Sequence, residues 1–425
     1  MTRVVSHTRG TRRSSAGFTL VELMVALTGG LFISLAVFAL ARDSGRFYQR
    51  ETRIANATVG GLLGFERLRT DIARAGFLVS PNIAKDYRLC GTTGANWPAA
   101  LQNLASIQIN TPTITYPALT SNGRKPPSVV LAGSYGSPDM FGAFSTINGA
   151  NIQFHLGNLT PGMSLQPAVL RLGNKLAPTT EAMQSVFPTK HALRVVQNGR
   201  QFYGQIITAT GGDDPIVTVN TQPPIPKQGE GLNCGLVIGG SAASRATINV
   251  VNFIQYQLGT PQTVTGRSDY ADLYASSSGS DAAPGEAGRT ELLRLEQDID
   301  GAAIEGSEEI VAEYAVDFNL QLTVVSSVLN NTDPTLLVVP STDAANFPLY
   351  SGPVAGGTNK PELIRSVRVR LGVRSREGDR GTTVASPATE GLFRFDLGTG
   401  TSEAFARVRT FQADIVLHNQ ADILW

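Results

Sequence analysis

The run from Phe18 to Ala41 carries one charge, Glu22, and no proline. At about 1.5 Å per residue a helix over this run reaches ~36 Å, enough to cross a bilayer with some tilt. Past Ala41 the positions Phe47, Ile54, Thr58, Phe65, Leu68 and Ile72 recur at helical steps, which predicts an amphipathic continuation. Arg42, Arg46 and Arg50 form a second row at four-residue spacing. A solvated face is the plain reading of that row; contacts to lipid headgroups or neighbouring subunits are the alternative. The first proline of the chain, Pro81, follows Gly76 and marks the predicted end of the helix. Gly29-Gly30 and Gly60-Gly61 interrupt the pattern, and glycine costs ~1 kcal/mol against alanine there, so the helix is expected to bend or loosen at these pairs.

Beyond Pro81 the period changes. Leu193 to Val196 and Phe202 to Thr208 flank Asn198-Gly199, which predicts a hairpin. A turn at 211–215 precedes the strand-like Ile216 to Val219, and 133–139 reads as an exposed loop without the lysine or helix of a phosphate loop. After Arg245 the alternation strengthens. Ile248, Val250, Ile254, Tyr256 and Leu258 share one parity, as do Val316, Phe318, Leu320, Leu322 and Val324. Val367, Val369, Leu371 and Val373 alternate with Arg368, Arg370 and Arg374. Such patterns suit antiparallel strands with one face on a core and one in water. The fold class is therefore α+β: a long N-terminal helix, its first half transmembrane, packed on an antiparallel sheet domain with large loop insertions. The expected division is a leader at 1–17, a span at 18–41, an amphipathic helix at 42–76 and a β-rich domain at 77–425, with 81–240 and 245–425 as two lobes.

Composition narrows the function. Only 16% of residues are charged, and glycine and proline are plentiful, which favours a loop-rich extracytoplasmic β structure over a helical cytosolic enzyme. Residues 1–16 hold four arginines, Arg3, Arg9, Arg12 and Arg13, and no acid. Without them 31 basic residues face 34 acidic ones, a net charge of −3, so no polycationic surface for nucleic acid remains. Charge does not orient the span: four arginines precede it, and Arg42, Arg46, Arg50 and Arg53 follow it.

The leader sets this chain apart from a secreted one. A secretory signal peptide is cut after its apolar segment, which is discarded. Here the small residue, Gly17, stands before the apolar segment, so cleavage at that point leaves the helix as the new N-terminus. Gly17-Phe18-Thr19-Leu20-Val21-Glu22-Leu23 resembles the class III signal of type IV pilins and type II secretion pseudopilins. The resemblance implies that a prepilin peptidase cuts between Gly17 and Phe18 and that Phe18 is then N-methylated. It makes Glu22 the acid that pairs with a neighbouring subunit's terminal amine; an idle acid in a membrane span would cost ~2.5–3.5 kcal/mol. Leu68 to Phe77, Glu291 to Asp298, Glu309 to Phe318, Ile364 to Leu371 and Phe411 to Asn419 are similar, in order, to segments of PilW-type minor pilins. His418-Asn419 stands where that family often has Arg-Asn. The resemblance implies a minor pilin that primes pilus assembly and so supports attachment or twitching motility. A type II secretion pseudopilin and a membrane-anchored surface-binding module are the alternatives. Its implied partners are other minor and major pilins, the prepilin peptidase, the inner-membrane assembly machinery and the lipid bilayer. Implied placement is a single pass of the inner membrane, N-terminus cytoplasmic and globular domain periplasmic, with entry into the pilus at its tip or base.

In such an oxidising compartment Cys90 and Cys234 read as a disulfide, worth about 4–5 kcal/mol on the chain-entropy argument, with two buried thiols as the other reading. No metal site, cofactor or catalytic constellation is expected. The acids from Glu296 to Glu309 resemble a calcium loop only loosely, because the twelfth position is Ser307, and an acidic β-turn is the better reading. His155 and His191 sit in strand-like runs without triad context.

Overall fold

The computed structural model describes residue 17 and residues 19–421 apart from 95, 112–113, 157–177, 231–233, 240–243, 272–285, 287, 327–334, 356, 379–393 and 399–404. The chain forms two units, Met1–Arg53 and Ile54–Trp425. One unbroken helix, α1 (Leu20–Arg74), runs through both, so Gly29-Gly30 and Gly60-Gly61 do not break it. In the first unit every apolar side chain from Leu20 to Leu40 among the large hydrophobics is exposed, and so is Phe47, at 65%. Phe47 thus does not join the buried face predicted for it. Burial begins at Ile54, and Phe65, Leu68 and Ile72 further along are buried in the core.

The strands of the second unit are β1 (Ile107–Asn110), β2 (Ser128–Gly133), β3 (Phe141–Asn148), β4 (Asn151–His155), β5 (Ala192–Gln197), β6 (Arg200–Thr210), β7 (Ile216–Val219) and β8 (Arg245–Gly259). They continue as β9 (Glu291–Gln297), β10 (Glu309–Ala312), β11 (Ala315–Ser326), β12 (Thr335–Pro340), β13 (Ile364–Arg374), β14 (Arg394–Asp396) and β15 (Phe405–Val416). The alternating segments form a five-stranded antiparallel sheet in the order β12-β11-β13-β15-β14. Its register sets Phe318 beside Leu371, Leu320 beside Val369 and Leu322 beside Val367, so one face is continuous hydrocarbon. The last turns of α1 lie in the core this face builds, with Phe65 stacked on Phe411 at 6.0 Å between ring centroids. Close approach there depends on glycine. A Cβ on Gly61 would stand 2.6 Å from Phe411 and 2.7 Å from Val373, and one on Gly64 would run into the Val311 carbonyl. Gly61 is therefore a contact point where the sequence suggests a soft one.

β8 organises the remainder. Its first half pairs with β3 on one edge and β5 on the other. With β3–β4, β4–β7, β7–β6 and β6–β5 paired in turn, these strands close into a six-stranded antiparallel ring. Closure removes free edges, and the interior is filled by side chains such as Phe141, Phe154, Leu193, Phe202 and Ile248. The second half of β8 leaves the ring and pairs with β2 and β9. Ile254, Tyr256 and Leu258 then face the core around α1, while Val251 and Phe253 enter a third cluster with Trp97 and Tyr203. Both parities of β8 are buried, against the one-sided pattern expected for it. The sheets also ignore the division at 240–245, since strands from both sides of it interleave.

Local signals hold where they are strong. Asn198 and Gly199 both take positive φ, 50° and 73°, and turn β5 into β6 with the twist a two-residue hairpin requires. Gly76, at φ 80°, ends α1, and its N–H donates to the Ala132 carbonyl. The 133–139 segment is exposed only in part, at Gly136 and Pro138. Ser134 and Tyr135 are buried, and both carbonyls accept from the Arg74 guanidinium, at 3.0 and 3.2 Å.

Candidate processing and assembly site

Gly17 is exposed, and a Cβ built on it would meet nothing within 4 Å. Phe18 lies outside the described residues. The next residues start α1 by a device the motif reading overlooks. Thr19 is the N-cap: its Oγ1 accepts the Glu22 N–H at 3.3 Å, while its own N–H and Oγ1–H both donate to Glu22 Oε2, each at 3.0 Å. This is a reciprocal capping box, and Thr-x-x-Glu is its signature in the sequence. It satisfies backbone donors that would otherwise be stranded at the end of an apolar helix. Both bonds land on Oε2; the second carboxylate oxygen takes no part in the cap. A carboxylate offers about four acceptor sites, so the cap leaves Glu22 able to receive a cation.

At its other end α1 is held by polar groups. Asp71 is buried, and its Oδ2 accepts from Tyr256 Oη and from Arg294 Nε, both at 2.8 Å. The Tyr256 hydroxyl is raised above its ordinary value by burial and by the Asp71 charge. Tyr135 Oη donates to the Asp71 carbonyl at 2.9 Å, and Asn419 Nδ2 donates to the Ala75 carbonyl at 3.1 Å. Arg67 reaches Glu309 at 3.8 Å. The five dispersed segments singled out in sequence order thus meet around the last turns of α1, through Asp71–Arg294, Arg67–Glu309, Phe65–Phe411 and Asn419–Ala75, with Leu417 N–H on the Arg365 carbonyl. Asn419 acquires a role as a partner of the helix end.

Other chemistry-bearing groups serve the fold. The structure joins Cys90 to Cys234, with Cα atoms 5.7 Å apart. Cys90 N–H donates to the Gln201 carbonyl on β6, and near Cys234 the Val237 N–H and carbonyl both bond Gln197 on β5, so the bridge joins two flanking segments that each bond to the β5–β6 hairpin. His191 is buried with Nε2 3.1 Å from Glu296 Oε2, and that contact holds the Glu296 carboxyl below its ordinary value. His155 lies between Thr146 and Asp214. Asp298 accepts the N–H groups of Asp300 and Ala302 and so closes the β9–β10 turn. No three His, Cys, Asp or Glu residues cluster as metal ligands among the described residues. Arg374, expected on a watery face, is fully buried against the Tyr314 and Phe395 rings, and burial lowers its guanidinium to about 10. The Tyr314 ring sits between Arg374 and Arg289, and burial pushes its hydroxyl up to about 12.

Residues 12–28 match the prokaryotic N-terminal methylation motif, the prepilin-type class III signal. No curated protein and no solved structure matches the chain. Among the described residues α1 is the one helix long and apolar enough to cross a membrane. Signal and helix together support a type IV pilin-like protein, a pilin or pseudopilin anchored by its N-terminal helix, processed by prepilin peptidase and assembled with other pilins. That is a structural protein more than an enzyme.

Proposed function

We propose that this chain is a minor pilin of the PilW type that helps initiate type IV pilus assembly, and so supports attachment or twitching motility. The observation that carries this reading is the Gly17-Phe18-Thr19-Leu20-Val21-Glu22 signal at the head of α1. The meeting of the five PilW-like segments around Asp71 and Phe65 supports it further. On this reading the peptidase cuts between Gly17 and Phe18 on the cytoplasmic face and Phe18 is methylated. The globular unit lies in the periplasm, where Cys90 and Cys234 are oxidised. Once cut, the helix associates laterally with the apolar helices of other pilins. Glu22 then selects the axial stagger, because an unpaired charge inside a helix bundle costs several kcal/mol and a neighbour's terminal amine cancels most of that cost only at one height.

The test is N-terminal mass analysis of membrane-extracted protein, with co-purification of partner pilins. A chain starting at methylated Phe18 is expected. Glu22→Ala should leave insertion and cleavage intact and impair incorporation, with Glu22→Asp intermediate. An intact leader in cells with active peptidase sinks the pilin reading. Co-purification with secretion pseudopilins in place of pilus subunits would move the chain to the type II secretion pseudopilus.

A further inference from the structure

Two features of α1 are not used by the cleavage and assembly site: the arginines past the apolar run, and the position at which they begin. Glu22 and Arg42 are twenty positions apart, and no residue between them is charged. In an unbroken helix this is about 30 Å, the thickness of the hydrocarbon core of a bilayer. The two charges that bound the span are therefore spaced to reach opposite headgroup layers. Arg42 and Arg46 are exposed, and so are Phe47 and Tyr48, aromatic residues of the kind enriched at membrane interfaces. At about 100° and 1.5 Å per residue, Arg46 lies ~40° around the helix and ~6 Å above Arg42.

A headgroup layer is roughly 5–8 Å deep on each side of the core. Arg42 and Arg46 fall inside that depth. Arg50 and Arg53, about 12 and 16 Å above Arg42, fall beyond it. The row is thus divided by the thickness of the layer, with two arginines at lipid phosphates and two above them. Guanidinium suits this task, since its planar fork of donors matches a phosphate in bidentate fashion. Basic residues on the far side of the span also run against the usual orientation bias, a penalty that a partner at that depth would offset. Water would equally solvate the whole row, but it would make no distinction between its lower and upper halves.

We infer that Arg42 and Arg46 bind the phosphates of anionic phospholipids in the outer leaflet, and that with Glu22 at the inner boundary they fix the depth of the subunit before it enters a filament. This rests on the reading above for the choice of leaflet. The experiment uses the full chain purified from membranes and reconstituted in vesicles of equimolar phosphatidylcholine and phosphatidylglycerol. Spin-labelled phosphatidylglycerol and spin-labelled phosphatidylcholine then compete for the lipid shell around the helix, at low and high salt. The native chain should prefer phosphatidylglycerol, by up to about fivefold for each arginine at the surface, with the preference reduced by salt. Arg42→Gln with Arg46→Gln should abolish it at both salt levels, while Arg50→Gln with Arg53→Gln should leave it intact at high salt, where screening confines the attraction to the headgroup layer. Three results overturn the inference: no preference in the native chain, a preference indifferent to the Arg42 and Arg46 changes, or equal loss from both pairs. N-terminal mass and protease access to the globular unit, measured on the same preparation before extraction, separate the two readings. Lipid preference with an intact leader and a cytoplasmic globular unit removes the pilin reading and the leaflet assignment, whereas loss of preference alone removes only the lipid contact.

Discussion

The two parts of α1 share a secondary structure and differ in what surrounds them. From Leu20 to Leu40 the apolar side chains are exposed on all sides, and Gly29 and Gly30 have open space where a Cβ would be. From Ile54 to Arg74 one face is buried, Leu68 and Ile72 are fully covered, and Gly61 and Gly64 touch the opposing strands. An all-round apolar helix needs a partner outside the chain, lipid or other helices. An amphipathic helix has found its partner in the chain's own sheets. Glycine shows the contrast most directly: in the first part it only lowers helix stability, and in the second it allows an approach that no larger residue permits.

Substitutions that treat the two parts alike should give opposite results, read as unfolding of the globular unit in the detergent-solubilised full chain. Asp71→Ala should have the largest effect, about 3–5 kcal/mol of lost stability, because it strips the buried Arg294 Nε and Tyr256 Oη of the oxygen they share and leaves Arg294 only the longer Glu309 contact. A denaturation midpoint within error of the native one would remove Asp71 as the anchor of α1. Leu68→Ala should cost about 2–5 kcal/mol through the cavity it opens, while Leu35→Ala should not move the same transition. Gly64→Ala should cost about 1–3 kcal/mol, since the new methyl runs into the Val311 carbonyl and Ala312. Gly29→Ala, where a Cβ meets open space, should instead leave that transition unmoved and favour the helix itself by up to ~1 kcal/mol. Equal responses at Gly64 and Gly29 would erase the distinction. The smallest effect concerns pH. A carboxyl held low stabilises the fold above its unfolded value and loses that contribution as pH falls through its folded value. The Glu296–His191 contact should therefore weaken on acidification below about pH 4, with Glu296→Gln flattening the dependence of stability on pH in that range.

Much of this was legible one residue at a time. The end of α1 follows from Gly76 and Pro81, the β5–β6 hairpin from Asn198-Gly199, and the core faces of β11 and β13 from strict alternation. These succeed because a turn that needs positive φ, or a strand with one wet face, imposes its demand locally. The capping box of Thr19 and Glu22 is equally legible in Thr-x-x-Glu, and the same two residues lie within the methylation motif. Arg374 and the far parity of β8 were not legible. An arginine in a β pattern is ordinarily at the surface, and here the Tyr314 and Phe395 rings, distant in sequence, together with the Ser375 and Arg376 carbonyls that accept from its Nη1, make its burial tolerable.

By itself the sequence determined an apolar helix preceded by a glycine, its capped start, its stop, and the period of the strands, because each is set by residues within a few positions of one another. Tertiary structure alone decided that β8 serves three cores, that the middle of the chain closes into a ring, and that Gly61 and Gly64 are contact points. It also decided that Asp71 is shared by Tyr256 and Arg294. Each of these depends on which segments meet across long separations, and periodicity along one segment carries no record of the partner on its far side.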